Sequence, residues 1–428
     1  MHIQFEKDSF SDYDSATKHE WLEQNETGAY AASTLIGVNL RREHGLLAVS
    51  SSTLSEKILM LSKFEESLFI ENHLYELSTN RYHDSIFPRG FQYIQSACID
   101  PFLRIRFLVD DRELDKTIFL LKDRNVLLVR YELRNMGRPV KMIIKPFLAV
   151  RGHHEVNTET QGLNTDSYLG QGWVRWAPKA NMPELYVYFK RGEFVPATLW
   201  YHNFYYPWDK GRYPNQNEDL YNPGFFQVEL QPYDTIDLFI SAEELELDEL
   251  DFEGMYRREM KNRLAAADHV HEISDRLLRI LPKNFAEEKS WSLSYFDPLE
   301  SMRDFLLAMP AMLAMPNGLE EFRNAYSRIG SLTDSGLLPK YFPDMRKQVS
   351  YAAADLSLWY IVLGYYYFQY TNDLDFFDDE LFDLFRDIIE RYSKGISYNI
   401  YTEKDGLLFS GNEHISVSWL PLQDSQGQ

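Results

Sequence analysis

One carboxylate stands out in the sequence for its surroundings. Asp355 lies in Tyr351-Ala352-Ala353-Ala354-Asp355-Leu356-Ser357-Leu358-Trp359-Tyr360. The run Ala352–Tyr370 reads as a helix that is apolar nearly all round, through Leu356, Leu358, Trp359, Ile361, Val362 and Leu363. A carboxylate in the first turn of such a helix, one turn before Trp359, is expected to be at least partly buried. Burying an unpaired charge is costly, so the group either finds a partner or titrates upward. A raised pKa is what a general acid needs near neutral pH. The competing reading is a helix-capping carboxylate.

A second concentration of chemistry is aromatic. Fourteen rings fall between Tyr186 and Phe226, most densely in Trp200-Tyr201-His202-Asn203-Phe204-Tyr205-Tyr206-Pro207-Trp208-Asp209. Rings interleaved with Asn, His and Asp suit sugars, whose C–H faces stack on apolar rings while their hydroxyls take polar contacts. Trp200, Asn203 and Trp208 are the candidates for such contacts. The alternative is that these rings pack the domain interface.

Other chemistries lack support. The chain has no GxxxxGK[ST], no GxGxxG after a strand, no GxSxG and no HExxH. His153-His154, at the end of a strand pattern, has no partner ligands spaced nearby and reads as a hydrogen-bonded pair at a sheet rim. The acidic cluster Asp373–Glu380 reads as a solvated helix start, where the helix dipole favours anions. Neither a metal nor a cofactor is expected. With 44 Lys and Arg against 65 Asp and Glu, the net charge of −21 argues against nucleic acid or anionic membrane as a partner. The single cysteine, Cys98, excludes an intrachain disulfide. No signal peptide and no membrane-length apolar run is visible, so a cytoplasmic location is expected.

These residues must be held by two kinds of structure. Before residue 245, short β-branched and aromatic runs alternate with turns: Lys57–Phe64, Leu103–Val109, Thr117–Leu121, Val126–Leu133, Lys141–Val150, Leu185–Lys190 and Thr235–Ile240. Many short strands without helical patterns between them predict a large antiparallel β-sandwich over 1–245. From Glu243 the period becomes helical. An acidic connector, Glu243–Glu253, opens a helical linker over 246–285, whose apolar stripe through Ile273 and Leu277 stops at Pro282. An all-α domain over 286–428 follows, with helices at Ser301–Leu313, Gly318–Ser327 (ended by Gly330), Ala352–Tyr370 and Asp373–Lys394, the last capped by Gly395.

Several blocks resemble the prokaryotic-type glycogen debranching enzymes, the amylo-α-1,6-glucosidases. Glu20-Trp21-Leu22, Gly28-Ala29-Tyr30-Ala31 and the run Gly37–Leu47 (GVNLRREHGLL) are similar to that family's opening EWL…GGYASST…SGVNTRRYHGLL. Pro88–Phe91, Lys145–His154 and Glu218–Gly224 resemble later blocks of the same N-terminal domain. In the helical half the likeness is thinner. Tyr295, Arg303 and Asp304 match the family's YPWFxDWGRD, whose tryptophans are replaced by Asp297 and Ser301. Leu337–Pro339 and Phe342–Asp344 match an LIPNRFPD-like turn. Tyr351–Tyr360 aligns with YNxxDAxLWF, with Ala352 in place of Asn. Val417-Ser418-Trp419-Leu420-Pro421 is similar to TWMDA without its Asp.

The resemblance implies an (α/α)6-toroid-like helical domain, here incomplete, with a missing C-terminal portion or partner chain supplying the remainder. It implies hydrolysis of α-1,6-linked glucose at a branch stub of glycogen or limit dextrin. It assigns Asp355 as general acid and places Arg303, Asp304, Tyr351, Trp359 and Trp419 against the substrate. Such hydrolysis usually takes two carboxyls, about 6.5–9.5 Å apart in inverting enzymes. No convincing base is found; Glu413 is the nearest by position. The other expectation is therefore a chain that binds branched α-glucan without cleaving it.

Overall fold

The computed structural model describes residues 3–25, 27–51, 56–134, 137–159, 163–267, 302–313, 318–341, 349–377, 379–411 and 417. It divides into two compact units, Met1–His269 and Val270–Gln428.

The first unit is a large antiparallel β-sandwich. One sheet, nine-stranded among the described residues, runs from Ile3–Glu6 at one edge through Ile94–Ile99, Leu103–Val109, Arg112–Leu120, Val126–Leu133, Thr235–Ser241, Leu185–Phe189 and Trp173–Trp176 to Tyr168–Gly170. The other runs from Glu193–Tyr205 through Asn217–Leu230, Val140–Gly152, Glu56–Ile70, Gly45–Ser51 and Tyr30–Thr34 to Glu20–Gln24, with His73–Glu76 added on Glu56–Ile70. The period-two pattern decides which side chains meet. Leu127, Val129, Tyr131 and Leu133 point to the core between the sheets, together with Leu103, Ile105, Phe107, Met142, Ile144 and Leu238.

The opposite face of the nine-stranded sheet is also covered, so its strands are apolar at consecutive positions. Val126, Leu128, Phe119, Tyr188 and Phe239 form a second cluster with Phe252 and Met255 of the helix Phe252–Ala267. That helix opens the segment read from sequence as a linker, and it is fastened to the sandwich. Arg263 donates to both oxygens of Glu23 (2.8 and 2.6 Å) and to the carbonyls of Pro101 and Leu120. The stripe at Ile273–Pro282 lies outside the described residues.

In the second unit the helices are Met302–Ala308, Pro310–Leu313, Gly318–Ser331, Leu356–Thr371 and Asp379–Lys394. Three expectations shift. The helix expected to end at Gly330 runs through it to Ser331, because Gly330 serves close packing: a Cβ there would lie 2.4 Å from the Tyr360 hydroxyl. The helix expected from Ala352 begins at Leu356, since the preceding backbone is used elsewhere, Ala354 N–H donating to the carbonyl of Val417 at 2.9 Å. The last helix begins at Asp379 rather than Asp373, whose carboxylate accepts from the Tyr367 hydroxyl at 2.8 Å and from Arg323. Its end is as read: Gly395 has φ +100°, and its N–H donates to Arg391.

The core of this unit joins Met302, Phe305, Phe322, Tyr326, Leu338, Leu356, Tyr360, Leu363, Tyr367 and Ile388. Tyr326 and Tyr360 stack at 4.1 Å between centroids, and each hydroxyl donates to the other's carbonyl (2.8 and 3.1 Å). The pair is self-satisfying, so two phenols are buried without an orphaned donor.

Candidate functional site

Asp355 stands immediately before the Leu356–Thr371 helix with φ −90° and ψ −26°, and its side chain makes no capping hydrogen bond. The capping alternative is not what the fold uses. Instead Arg303, in the first turn of Met302–Ala308, forks onto it: Nε donates to Oδ2 at 2.6 Å and Nη2 to Oδ1 at 2.7 Å. The Asp355 side chain is 30% exposed and that of Arg303 is 14% exposed, so the pair sits at the edge of the core with one open side. The hydrogen bonds to Asp355 hold the Arg303 guanidinium above its usual range. Of the two fates open to a half-buried carboxylate, pairing is the one observed.

The supports of this pair are local. Met302 N–H donates to Lys340 O at 3.2 Å, and Lys340 N–H to Ser350 O at 2.6 Å. Ser357 Oγ accepts from Leu338 N–H at 3.0 Å, and the Tyr392 hydroxyl donates to Ala354 O at 2.9 Å. Burial pushes the Tyr392 phenol up to about 12. Asp304 is exposed beside Arg303 and acts on it electrostatically. Tyr351 and Trp359 are half-buried against the same core, Trp359 N–H donating to Asp355 O at 2.9 Å. Trp419 and Glu413 lie outside the described residues.

The aromatic segment belongs to the sandwich unit. Half of its fourteen rings are buried, and all of the rest but Trp208 are half-buried. Phe204 packs on Phe147 (5.7 Å), Tyr201 on Phe147 (4.8 Å), and the buried Tyr206 donates to Glu218. Trp200 is half-buried against Tyr221 at 5.5 Å. Three residues of Trp200–Asp209 face water: His202, Asn203 and Trp208. Asn203 is exposed at φ +61° on a strand irregularity, its N–H held by Asp219 Oδ1 at 2.9 Å. Trp208 is 40% exposed, with the Arg41 guanidinium 4.7 Å from its ring.

Beneath Trp208 lies a buried charge network formed by Arg42, Glu43, Asp209, His154 and Tyr213. Arg42 Nε donates to Asp209 Oδ2 at 2.7 Å, and the Tyr213 hydroxyl donates to Glu43 Oε1 at 2.9 Å. Burial pushes the Asp209 carboxyl up, with Arg42 opposing and Glu43 adding to the rise. Burial raises Glu43 too, but bonds from His154 and Tyr213 outweigh it and leave it below the usual range. Sequence reasoning placed His154 at a sheet rim and Asp209 in the aromatic run, but it did not anticipate the network they form with Arg42, Glu43 and Tyr213. The available signal was Arg41-Arg42-Glu43-His44, four consecutive polar residues in the largely apolar stretch Leu35–Leu47.

A model of the N-terminal domain of glycogen debranching enzyme matches residues 19–237, and the amylo-α-1,6-glucosidase model matches 286–426. The chain belongs to the glycogen debranching enzyme family. Its first domain match coincides with the β-sandwich strands from Glu20 onward, and its second contains the Arg303–Asp355 fork. Among solved structures, a bacterial glucoamylase complexed with acarbose shares 10% identity at a TM-score of 0.51, over 88% of this chain and 58% of that one. A putative kojibiose phosphorylase from the human microbiome shares 10% identity at a TM-score of 0.48, over 95% of this chain and 60% of that one. The likeness to the glucoamylase is one of fold. This debranching-family chain thus spans less than two thirds of either solved chain. No curated protein matches it. Among the described residues no helix is long and apolar enough to cross a membrane.

Proposed function

We propose that this chain acts on branched α-glucan, hydrolysing the α-1,6-linked glucose at a branch stub, with Asp355 delivering the proton to the leaving oxygen. The observation that carries this reading is the fork itself. Arg303 and Asp355 come from two separate family blocks and meet at the open edge of one helical core. Asp304, Tyr351, Trp359 and Trp419 complete the substrate contacts in this reading, and Trp200, Asn203 and Trp208 offer glucan contacts on the sandwich. The helical unit is read as part of an (α/α)6 toroid. The single cysteine and the acidic surface support a cytoplasmic setting.

Both oxygens of Asp355 are engaged by Arg303, which must give way at one of them before that oxygen can meet the leaving oxygen of a substrate. Catalysis therefore requires substrate to draw Arg303 off one oxygen, and a second carboxyl to activate water. The same fork favours a second reading, in which the chain holds α-glucan without cleaving it. Glucose release from a branched limit dextrin separates them. In the hydrolytic reading Asp355→Asn lowers the rate by about 10²–10⁴-fold, the range of positioned acid–base catalysis. No release from either protein with glucan still bound leaves the binding reading in place, and equal release from both removes Asp355 as the acid.

A further inference from the structure

The connection Tyr206–Gln216, between the strands Glu193–Tyr205 and Asn217–Leu230, is fixed from below by one short segment, Leu40-Arg41-Arg42-Glu43. Arg42 uses two of its three guanidinium nitrogens on it and the third on the neighbouring His154. Besides the 2.7 Å bond to Asp209, Nη2 donates to the carbonyl of Asn215 and Nη1 to that of His154 at 3.0 Å. Its plane lies 3.5 Å from the centroid of the Tyr213 ring. Glu43 takes the Tyr213 hydroxyl, and Leu40 O accepts the N–H of Trp208 at 3.0 Å. Arg41, itself held by Glu20 at 3.0 Å, backs the Trp208 ring. The connection is thus gripped at 208, 209, 213 and 215, while Lys210, Gly211 and Arg212 form an exposed tip.

The grip is unusual for its burial. The side chains of Asp209 and Glu43 are 0% exposed and that of Arg42 is 6% exposed. One oxygen of each carboxylate, Asp209 Oδ1 and Glu43 Oε2, has no hydrogen-bond partner. Buried ion pairs are poor sources of net stability compared with apolar residues of the same size, and orphaned oxygens make this one poorer. What such a pair supplies is one geometry rather than many. Here the fixed object is Trp208, the exposed ring of the aromatic segment, with a cation on one side and 40% of the residue open to water. A ring already held in its binding position loses little freedom when a sugar stacks on it.

We propose that Arg42 is a positioning residue: with Glu43 and Asp209 it clamps the Tyr206–Gln216 connection so that Trp208 is presented as a fixed stacking face for an α-glucan chain. This rests on the reading of Trp208 as a glucan contact, and it adds residues that touch no sugar. The clamp needs a planar fork, so lysine cannot replace Arg42 although it keeps the charge.

Two readouts on the full chain test it: migration in gels containing glycogen, and the rate of trypsin cleavage after Lys210 or Arg212, followed by mass spectrometry. Trp208→Ala is expected to weaken glycogen affinity about tenfold, a loss typical of an exposed anchor ring. Arg42→Lys and Asp209→Asn are expected to match that loss and to speed cleavage at the tip at least tenfold. Tyr213→Phe, which removes only the hydroxyl on Glu43, is expected to show both effects more weakly and serves if the others fail to fold. Gel migration reads affinity without turnover, so failure of the hydrolytic reading leaves this result standing. Faster cleavage with unchanged glycogen affinity overturns the proposal. So does a Trp208→Ala protein that binds as wild type, which removes the glucan contact on which it rests.

Discussion

His153 shows how a single buried ring sets a pH limit. It follows the strand Val140–Gly152, is 8% exposed, and its Nδ1 lies 3.1 Å from the carbonyl of Lys57, which the neutral ring can meet with an N–H. Burial, with the adjoining His154 and Lys57 adding to it, drives its pKa down to about 3. The unfolded chain protonates this ring near 6.5, the folded chain only near 3, so the unfolded state binds the extra proton between those values. The contribution is complete above pH 6.5 and is lost as pH falls toward 3. The slope is about 1.4 kcal/mol per pH unit, hence about 2 kcal/mol by pH 5. Urea unfolding at pH 7 and pH 5 measures it. His153→Gln should narrow the difference between the two pH values by roughly that amount; an unchanged difference would assign the acid sensitivity to other groups.

Among the elements, the crossing of Gly318–Ser331 over Leu356–Thr371 is held close by two glycines. Gly364 lets the Tyr326 hydroxyl pass at 2.6 Å from where its Cβ would stand, and Gly330 does the same for Tyr360. Gly364→Ala should therefore force the two helices apart and destabilise the helical unit by about 1–3 kcal/mol, despite the better helix propensity of alanine. A thermal melt that is unchanged or raised would show that the tyrosine pair relaxes freely. The same crossing shows what could be read in advance. Strands such as Leu103–Val109 and Val126–Leu133 were legible to the residue because alternation and turn chemistry are local signals. Gly330 was misread as a stop because its reason is Tyr360, on another helix. Ala352–Asp355 has good helix formers but lies outside the helix, its backbone already bonded to Val417. Asp355 was found through its apolar neighbours, and the family resemblance assigned Arg303 to substrate. Nothing local announced the fork between them, nor that between Arg42 and Asp209, which are 167 residues apart in sequence.

For the molecule as a whole, two opposed features meet. The Leu356–Thr371 helix is apolar all round, so covering one side with Tyr360, Leu363 and Tyr367 leaves Leu358, Val362, Tyr365, Tyr366 and Tyr370 exposed. Contiguous apolar surface of this kind promotes association. The net charge of −21 acts the other way, through repulsion between copies. Repulsion is screened by salt, with a Debye length of about 10 Å at 0.1 M and about 3 Å at 1 M, whereas apolar contact is not weakened by it. Sedimentation velocity of the full chain should therefore show mean mass rising from 0.05 to 1 M NaCl. The double variant Val362→Glu, Tyr366→Glu places charge on the exposed side without entering the core, and its mass should stay flat over the same range. If wild type also stays flat, the exposed rings are too dispersed to bind one another, and repulsion is not what keeps copies of this chain apart.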